Sequence, residues 1–501
     1  MPTVGINATG GSGQVAAKAT SDISSQTTWR HFIGGRHVAG GGDPLKVENP
    51  ATGEVMAQFA QVSPQQVDTA VAAARKAFES GIWRDGAMRA VVLSRLADLL
   101  VRHKERLLHS IVGEIGTPIS IARFLQLDGP IAMLRDIAKR ANVDRTVRLP
   151  DDERAPASSS VIRYEPVGVV AGIGAYNNPL LYLVSKCCAA LAAGCTAVYL
   201  PSSLTPLTAL SIADIVQEAG VPDGVLNIIA GGPDVARTLT LHPDIDKISM
   251  TGSVGVGRQV MRQAAEGPKG IVLELGGKSA GIVLPGADLA KVMLPLHGRY
   301  LRNAGQGCQS PTRLLIPAPL YDDFVDASRQ AYASIPIGDP LDPKTMIGPL
   351  ISEAHRAKVE GYVARALGDG GEILAGGGRP DIGRGWYMNG ALIGGMTNTS
   401  EIARAELFGP VAILIPYGDV AQAISIANDS EFGLAASVFG PLDEALAVAG
   451  RLRVGTVAIN GGGNFRVDSV LAGWKHSGFG REWGEAGIAE FLHAQHVQWM
   501  L

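Results

Sequence analysis

The sequence of 501 residues predicts an α/β fold with two α/β units. Apolar strand segments and amphipathic helices alternate from residue 167 to residue 277, and they alternate again from residue 289 to residue 460. This alternation favours parallel sheets with helices on both faces. Hydrophobic residues make up 46% of the chain and charged residues 18%, which is enough apolar side chain to fill cores of this size.

The first 28 residues are predicted to form a flexible leader ahead of the folded part. Met1–Thr28 is rich in Gly, Ser, Thr and Ala, and it has neither the apolar core of a secretion signal nor the arginine bias of a transit peptide. The globular pattern begins at Trp29 with a hairpin near Phe32–Arg36. Ser63 then has the properties of an N-cap for a helix over Gln65–Ser80.

Two long helical segments, Arg89–Ile115 and Ile119–Asn142, are expected before the first alternating region. Strands of that region are predicted at 167–173, 197–200, 225–229, 247–250 and 269–274, with helices at 179–191, 205–219, 234–241 and 254–265. Strands of the second region are predicted at 313–316, 373–375, 435–439 and 456–460, with helices at 289–304, 320–334, 352–368, 419–428 and 443–452.

Two segments at the margins of these regions read as strands that project from the globular body. Thr146–Arg163 is polar and predicts a hairpin. His493–Leu501 places Val497, Trp499 and Leu501 on one face, which predicts a terminal strand. Because an apolar terminal strand is an aggregation hazard, we expect it to pair with another chain.

Composition argues against several classes of protein. The net charge of −3 gives no reason to expect a nucleic acid or an anionic membrane as partner, and no apolar run reaches about 18 residues. The four cysteines form neither a disulfide framework nor a CxxC motif, and no His/Cys cluster has the spacing of metal ligands. We therefore expect a cytoplasmic protein without a bound metal.

A carboxylate and a cysteine mark the part of the chain that carries chemistry. Glu274 ends an apolar strand, where a buried carboxylate is costly unless it has a partner or a function. Cys308 lies in a loop of small residues that leaves its sulfur accessible. Taken singly, the cysteine is more often a packed hydrophobe and the glutamate a solvated residue. Together they supply the nucleophile and base that acyl chemistry through a thioester requires.

The two segments resemble the signature motifs of the aldehyde dehydrogenase superfamily. They are Glu274-Leu275-Gly276-Gly277-Lys278 and, further along, Gly305-Gln306-Gly307-Cys308. The resemblance extends over about Phe32–Leu501 and implies a dehydrogenase of the hydrolytic branch, which oxidises aldehydes with NAD(P)+. It implies that Cys308 attacks the aldehyde and that Glu274 activates the water that hydrolyses the thioester.

Further motifs of the family follow in the expected order. Asn177 in Ala-Tyr-Asn-Asn-Pro matches the family's oxyanion donor, although taken alone it reads as a turn or helix-capping residue. Ser253 lies at a strand–helix junction that suits a phosphate, and it is also an ordinary N-cap. By resemblance, the cofactor contacts are Ile173, Gly174, Ala175, Tyr176, Leu200, Ser203, Gly231, Gly252, Ser253, Leu275, Gly276, Lys358, Glu406 and Phe408.

The family's architecture implies how the chain is divided. Residues 29–145 and 167–277 would form a Rossmann-like cofactor domain, and residues 278–484 would form the catalytic domain. Residues 146–166 and 485–501 would form a β-hairpin oligomerisation element, and family members are mostly dimers or tetramers. We therefore expect a homo-oligomer, with a homotetramer as the working assignment.

The chain departs from the family's pattern at two cofactor positions. Leu200 replaces the lysine and Ser203 the glutamate that commonly contact the adenosine ribose. Losing the lysine weakens binding by a charged hydrogen bond of roughly 1.5–3 kcal/mol. Losing the glutamate removes a repulsion of the 2′-phosphate of NADP. We expect NAD as cofactor, with NADP possible.

The positions that match the family's substrate funnel are Tyr176, Tyr182, Phe465 and Leu471. They are apolar or aromatic and include no arginine, so a neutral, hydrophobic aldehyde is expected; the alternative is that some of them are core residues. Two other functions remain open at this point. One is a non-catalytic binding protein on the same fold with weakened cofactor affinity, and the other is an esterase with poor cofactor use.

Overall fold

The computed structural model describes residues 29–463 and 466–501. The predicted leader and Phe465 therefore lie outside the described residues. Two α/β units, each built on a largely parallel sheet, confirm the predicted fold class. Both sheets have apolar cores on their faces, formed by the strands and the helices that cover them.

The strands in chain order are β1 (His31–Ile33), β2 (Arg36–Val38), β3 (Pro44–Asn49), β4 (Glu54–Ala60), β5 (Val147–Arg148), β6 (Ser158–Pro166), β7 (Val169–Ile173), β8 (Thr196–Leu200), β9 (Leu226–Ile228), β10 (Lys247–Thr251), β11 (Gly270–Glu274), β12 (Ser279–Val283), β13 (Pro311–Pro317), β14 (Glu372–Gly376), β15 (Ala391–Gly394), β16 (Val411–Tyr417), β17 (Phe432–Gly433), β18 (Ala435–Phe439), β19 (Thr456–Ile459), β20 (Trp474–Lys475), β21 (Gly478–Phe479) and β22 (Leu492–Met500).

The α-helices span Pro64–Glu79, Gly86–Arg102, Lys104–Ile115, Ile119–Ile121, Gly129–Arg140, Pro179–Tyr182, Ala189–Ala193, Leu207–Ser211, Ala213–Ala219, Pro233–Leu241, Val254–Ala265, Leu289–Leu301, Tyr321–Ser334, Glu353–Gly368, Glu401–Arg404, Val420–Asn428, Leu442–Ala449 and Gly484–Ala489. Ala122–Asp128 and Leu183–Cys188 are π-helical, and Arg302–Gly305 and Ala318–Leu320 are 3₁₀-helical.

The first sheet has the strand order β2-β1-β9-β8-β7-β10-β11-β21. Strands β7 to β11 within it are parallel, so their carboxyl ends lie along one edge. Ile173 pairs with Leu200, and Thr251 pairs with Glu274. This edge carries the loops in which the sequence motifs occur. The short strand β21, from the C-terminal part of the chain, closes the sheet by pairing antiparallel with β11.

The second sheet has the order β14-β15-β16-β13-β12-β18-β19, and only β14 runs antiparallel to its neighbour. A third, smaller sheet has the order β22-β6-β5. In it the terminal strand pairs with β6 along nine residues, from Leu492 opposite Pro166 to Met500 opposite Ser158. The opposite edge of β22 has no strand partner within the described parts of the chain.

Helix bounds differ from the prediction where the chain departs from regular helix geometry. The segment predicted at 89–115 is two helices, because His103 (φ −95°, ψ 15°) interrupts the helix between them. The first helix begins as predicted, with Ser63 and Gln66 forming a reciprocal capping box. The helix predicted at 205–219 is divided at Ile212 and ends at Gly220, whose φ of +85° is left-handed.

Candidate functional site

A cavity of about 1060 Å³ lies where the carboxyl ends of the first sheet face the second unit. The structure brings all the predicted cofactor residues to its wall: Ile173, Gly174, Ala175, Tyr176, Leu200, Ser203, Gly231, Gly252, Ser253, Leu275, Gly276, Lys358, Glu406 and Phe408. Cys308, Asn177 and Tyr182 line the same cavity. Glu274 and Leu471 are buried and do not line it.

The cysteine loop is fixed by an unusual backbone path. Asn303, Ala304 and Gly305 have successive φ values of 53°, 51° and 74°, all in the left-handed region that non-glycine residues avoid. A Cβ on Gly305 would lie 2.1 Å from the Gly409 carbonyl, so only glycine fits there. A Cβ on Gly277 would likewise lie 2.2 Å from the Cys308 carbonyl oxygen. Close backbone contact on both sides therefore positions the sulfur.

Gln306 joins this loop to two other segments of the chain, residues 176–177 and residue 351. Its side-chain oxygen accepts hydrogen bonds from the Ile351 amide (2.9 Å) and the Tyr176 hydroxyl (3.1 Å). Its backbone carbonyl accepts a hydrogen bond from Asn177 Nδ2 at 2.9 Å. The predicted oxyanion donor is therefore tied to a residue only two positions before Cys308.

The amide of Asn177 is held from both ends. Tyr182 Oη donates to Asn177 Oδ1 at 2.7 Å, while Nδ2 donates to the Gln306 carbonyl. Gln126 Nε2 also donates to the Asn177 backbone carbonyl at 2.8 Å. Because the Gln306 carbonyl can only accept a hydrogen bond, its contact fixes which side of the amide carries the N–H groups. One N–H of Nδ2 remains for a ligand. Tyr182 thus contacts Asn177 as well as lining the cavity.

Glu274 is buried close to the ion pair between Lys186 and Glu482. Lys186 Nζ lies 2.6 Å from Glu482 Oε1, and both side chains are almost fully buried. The Glu274 oxygens accept no hydrogen bond of ordinary geometry from the described residues, although the Gly473 backbone amide faces them. Burial, reinforced by the negative charge of Glu482 and opposed by Lys186, holds the pKa of Glu274 well above its ordinary value. The group therefore keeps its proton at pH values at which an ordinary carboxyl group is ionised.

The thiol of Cys308 is the partly exposed one of the four, since Cys187, Cys188 and Cys195 are buried. Loss of solvation, together with the negative charges of Glu406 and Glu274, raises the pKa of the Cys308 thiol to about 12. The thiol is thus protonated at neutral pH and needs a base to become a nucleophile. Glu274 is also close enough to the sulfur for its charge to affect the thiol.

The walls of the cavity supply groups that fit a dinucleotide. Helix Val254–Ala265 begins at the cavity with Ser253 as its N-cap, which suits a pyrophosphate. Glu406 Oε1 accepts a hydrogen bond from the Gly277 amide at 3.0 Å. A Cβ on Gly276 would lie 2.2 Å from Glu406 Oε2, so the glycine makes room for this carboxylate. Burial raises the pKa of Glu406 to about 7, while Lys278 and Lys358 favour its charged form. A carboxylate in this position suits ribose hydroxyls.

The end of the cavity next to Leu200 and Ser203 is built differently. Leu200 is buried and closes strand β8, and the Ser203 side chain has no hydrogen bond to another described residue. Across from them, helices Pro233–Leu241 and Val254–Ala265 are joined by Thr240 Oγ1 and Gln263 Oε1, 2.8 Å apart. The departures from the family's motif therefore leave an apolar wall and a free hydroxyl.

Sequence reasoning missed three features of the site. It did not predict that Gln306 hydrogen-bonds to other segments of the chain, although the residue lies inside the cysteine motif. It placed Tyr182 in a substrate funnel and did not anticipate its bond to Asn177. It also omitted Arg302, which lies close enough to Cys308 for the two to interact electrostatically. A charged residue six positions before Cys308 was the available signal.

The described residues contain neither a metal-binding cluster nor a helix that could span a membrane. Residues 29–463 and 466–501 contain no group of three or more His, Cys, Asp and Glu side chains arranged to hold a metal ion. Among the helices of the same ranges, none combines the length and apolar character needed to cross a membrane.

Comparison with known proteins agrees with the motifs. The model of the aldehyde dehydrogenase family matches residues 37–497. A geranial dehydrogenase from Castellaniella defragrans is 38% identical over 475 residues, which cover 93% of this chain and 98% of that protein.

Two solved structures extend the comparison to the fold. A mutant of aldehyde dehydrogenase C from Pseudomonas syringae, solved with NAD+ and octanal, is 36% identical with a TM-score of 0.89. The match covers 95% of this chain and 98% of that one. An NADP-dependent enzyme of E. coli is 33% identical with a TM-score of 0.91, covering 96% of this chain and 99% of that one.

Proposed function

The chain belongs to the aldehyde dehydrogenase family, and we propose that it oxidises an aldehyde to the carboxylic acid with NAD(P)+ through a thioester on Cys308. The observation that carries the proposal is the joint placement of Cys308 and the Asn177 amide on one cavity wall, with the Glu274 carboxylate close enough to affect the thiol. The alternatives of a non-catalytic binding protein and an esterase are not favoured, because relatives named as dehydrogenases align over nearly the whole chain.

The first step is attack of the sulfur on the aldehyde carbonyl. The Cys308 thiol loses its proton to a base, and an S–C bond forms while the carbonyl oxygen becomes an oxyanion. The free N–H of Asn177 Nδ2 and the backbone N–H of Cys308 donate to that oxyanion. Tyr182 and Gln306 hold the Asn177 amide in the orientation that this role requires.

Oxidation needs a nicotinamide cofactor, which supplies the hydride acceptor when it is bound. Glu406 and Lys358 would hold its nicotinamide ribose, and Phe408 would line the ring. Ser253 and the amide groups at the start of helix Val254–Ala265 would hold the pyrophosphate. NAD is the expected cofactor and NADP remains possible, since solved relatives include both an NAD+ complex and an NADP-dependent enzyme.

The last step releases the acid. Ionised Glu274 takes a proton from water, the water oxygen attacks the thioester carbon, and the S–C bond breaks. The cysteine sulfur then recovers a proton. The raised pKa of Glu274 means that this step slows as the pH falls and the carboxyl group becomes protonated.

Relatives support an aldehyde with an apolar chain. One is named for geranial and one was solved with octanal, both of which are hydrophobic aldehydes. The aromatic side chain of Tyr182 on the cavity wall is compatible with such a chain, whereas Leu471 is buried away from that wall. The cytoplasmic location stays a prediction, for which the free cysteines give the only support.

The chain forms a homo-oligomer through its third sheet. Along the unpaired edge of β22 the side chains of Trp499 and Met500 are 42% and 75% exposed. Pairing with a second copy would cover this edge and these side chains. Light scattering on the purified protein tests this assignment, and a monomer at micromolar concentration would contradict it.

The function is tested by following NADH and NADPH formation at 340 nm with a panel of aldehydes. Turnover is expected with at least one apolar aldehyde, and it should fall at least about a thousandfold in Cys308→Ala. Cys188→Ala is the matched control, since that cysteine is buried away from the cavity, and it should keep its activity if folded. Absence of turnover with every aldehyde, or equal loss in both variants, would contradict the proposal.

A further inference from the structure

A closed ring of hydrogen bonds joins five buried polar residues where the two α/β units meet: Thr117, Gln126, Asn177, Asn303 and Gln306. None of the five is more than 8% exposed. Thr117 and Gln126 belong to the helical region before the first sheet, whereas Asn303 and Gln306 belong to the cysteine loop. The ring therefore connects the loop that carries Cys308 to a region in which no sequence motif indicates a function.

Each hydrogen bond of the ring has one possible direction. Gln126 Nε2 donates both of its hydrogens, to the Asn177 backbone carbonyl at 2.8 Å and to Thr117 Oγ1 at 3.0 Å. The Thr117 hydroxyl then donates its single hydrogen to Asn303 Oδ1. Asn303 Nδ2 and Asn177 Nδ2 share one acceptor, the Gln306 carbonyl, at 3.3 Å and 2.9 Å. Because the two backbone carbonyls can only accept, they fix the orientation of every side-chain amide in the ring.

The ring holds the strained part of the cysteine loop. Asn303 has a φ of 53°, which is costly for a residue other than glycine and persists only where the surroundings hold it. Both ends of its side-chain amide are bound, one by Thr117 and the other by the Gln306 carbonyl. Since Gln306 lies two residues before Cys308, these contacts fix the backbone that leads to the Cys308 N–H.

Gln126 carries a cost that a purely structural residue would avoid. Its Oε1 is buried and accepts no hydrogen bond from the described residues. A buried polar atom without a partner lowers stability, and an apolar side chain of similar length would remove that penalty. The residue also lies in the π-helical segment Ala122–Asp128, and such segments are rare and frequent at functional sites. The contacts of its Nε2 therefore explain Gln126 better than core packing does.

We propose that Thr117 and Gln126 are positioning residues for the oxyanion hole. Its two proposed donors, Asn177 Nδ2 and the Cys308 backbone N–H, come from different α/β units, and the ring sets the distance between them. Donors stabilise an oxyanion only when they lie about 3 Å from the developing charge, so a small shift between the units lowers the reaction rate. Cofactor binding does not depend on that distance. The inference rests on the proposed aldehyde oxidation.

The experiment breaks the ring at Thr117 in the full-length protein. Thr117→Val keeps the shape of the side chain and removes the hydroxyl, whereas Thr117→Ser keeps the hydroxyl. In Thr117→Val, kcat and kcat/KM for an apolar aldehyde should fall roughly five- to thirtyfold, the effect of one or two hydrogen bonds. The KM for NAD+ should stay the same, and Thr117→Ser should retain most of the native kcat. In the Asn177→Ala background Thr117→Val should have little further effect, because both changes act on one donor.

Gln126→Met breaks the ring at a second point. It should lower kcat by a similar factor at little cost in Tm, because it also removes the unpartnered oxygen. A residue with a merely structural role would show the opposite pattern, with Tm reduced and kcat preserved in the folded protein.

Thr196→Val is the matched control. Thr196 is also fully buried, and its Oγ1 donates to the Ala74 carbonyl at 2.9 Å. It begins strand β8 and does not line the cavity, so the same chemical change there should lower Tm and leave kcat unchanged. Amide hydrogen exchange gives a readout that needs no turnover. Residues 303–308 should exchange roughly fivefold faster in Thr117→Val and at the native rate in Thr196→Val.

Four results would overturn the inference. They are an unchanged kcat in Thr117→Val, an equal loss of kcat in Thr196→Val, a loss that stays fully additive in the Asn177→Ala background, and unchanged exchange of residues 303–308. Failure of the proposed function is distinguishable, because the native protein would then oxidise no aldehyde, while the exchange rates would still show whether the ring holds the loop.

Discussion

The two ends of the cavity differ in how firmly their polar groups are held. At the reaction end, Asn177 and Gln306 each make several hydrogen bonds that join separate segments. Glycines on either side of the cysteine loop allow its backbone to pack closely against its neighbours. At the end near Leu200 and Ser203, an apolar side chain and an unengaged hydroxyl stand where the family has a charged pair. In this chain, therefore, several contacts fix each polar group at the reaction end, whereas few contacts constrain the end that would distinguish NAD from NADP.

The largest effect is expected from Glu274→Gln, which should slow turnover about 10²- to 10⁴-fold by removing the base. In the native protein, kcat should rise with pH through the raised pKa of Glu274, and this limb should vanish in the variant. Both are read from pH–rate profiles. An unchanged profile in Glu274→Gln would show that another group is the base.

The same substitution has a consequence for stability whose sign follows from linkage. Unfolded Glu274 ionises near 4.5, whereas the folded carboxyl keeps its proton to a higher pH. Its contribution to stability is therefore lost as pH rises between the two pKa values. The free energy of unfolding should fall less between pH 5 and pH 8 in Glu274→Gln than in the native protein. Chemical denaturation at the two pH values measures this difference. A larger loss would mean that the folded carboxylate is stabilised instead.

The next largest effect is expected from Asn177→Ala, which removes the proposed oxyanion donor. A fall in kcat of about 10²- to 10³-fold is predicted, with the cofactor KM little changed, because the donor acts on charge that develops during the reaction. Steady-state kinetics with cofactor and aldehyde varied separately would measure this. A rise in cofactor KM with kcat preserved would instead assign Asn177 to cofactor binding.

At the less constrained end of the cavity, Leu200→Lys should lower the KM for the cofactor by roughly ten- to a hundredfold. The lysine would restore the donor that the family's motif provides to the adenosine ribose. Titrations with NAD+ and NADP+ measure the effect, and Leu200→Met is the control for side-chain length. If KM for both cofactors stayed the same, this end would not be limiting for binding.

The smallest effect is expected from Tyr182→Phe, which deletes one hydrogen bond to Asn177 Oδ1. A net loss of about 1 kcal/mol corresponds to roughly a fivefold lower kcat, with aldehyde KM unchanged. A positioning role predicts that Tyr182→Phe has no further effect in the Asn177→Ala background. Additive losses in the double variant would show that the tyrosine acts independently of the amide.

Sequence reasoning succeeded where short motifs encode local geometry. Gly276, Gly277 and Gly305 are required because a Cβ on each would lie about 2 Å from another atom, so the motifs that contain them are reliable. It failed where geometry depends on distant partners. Nothing near Tyr182 in the sequence indicates its bond to Asn177, and Gln306 gains its role from Ile351 and Tyr176, which are far away in the chain.

The same distinction holds for the fold. The alternating core strands β7 to β11 were predicted, whereas β3, β12, β15 and β16 were not. Strand β3 alternates charged with apolar residues, and it is stabilised by pairing with β4 and by burial of Val47 in the core. Strand β16 contains Pro416, which lacks a ladder donor but lies near the strand end, where the sheet tolerates it. These strands form because of pairing with distant segments, and a single sequence does not reveal that pairing.

The most direct test of the account is to trap the acyl group on the protein. Glu274→Gln is mixed with a reactive aldehyde and NAD+, and intact-protein mass spectrometry followed by peptide mapping locates the adduct. The account predicts a gain equal to the aldehyde less two hydrogens, on Cys308 and on none of the buried cysteines. An unmodified Cys308 under conditions where NADH forms, or an adduct on another residue, would contradict the thioester mechanism.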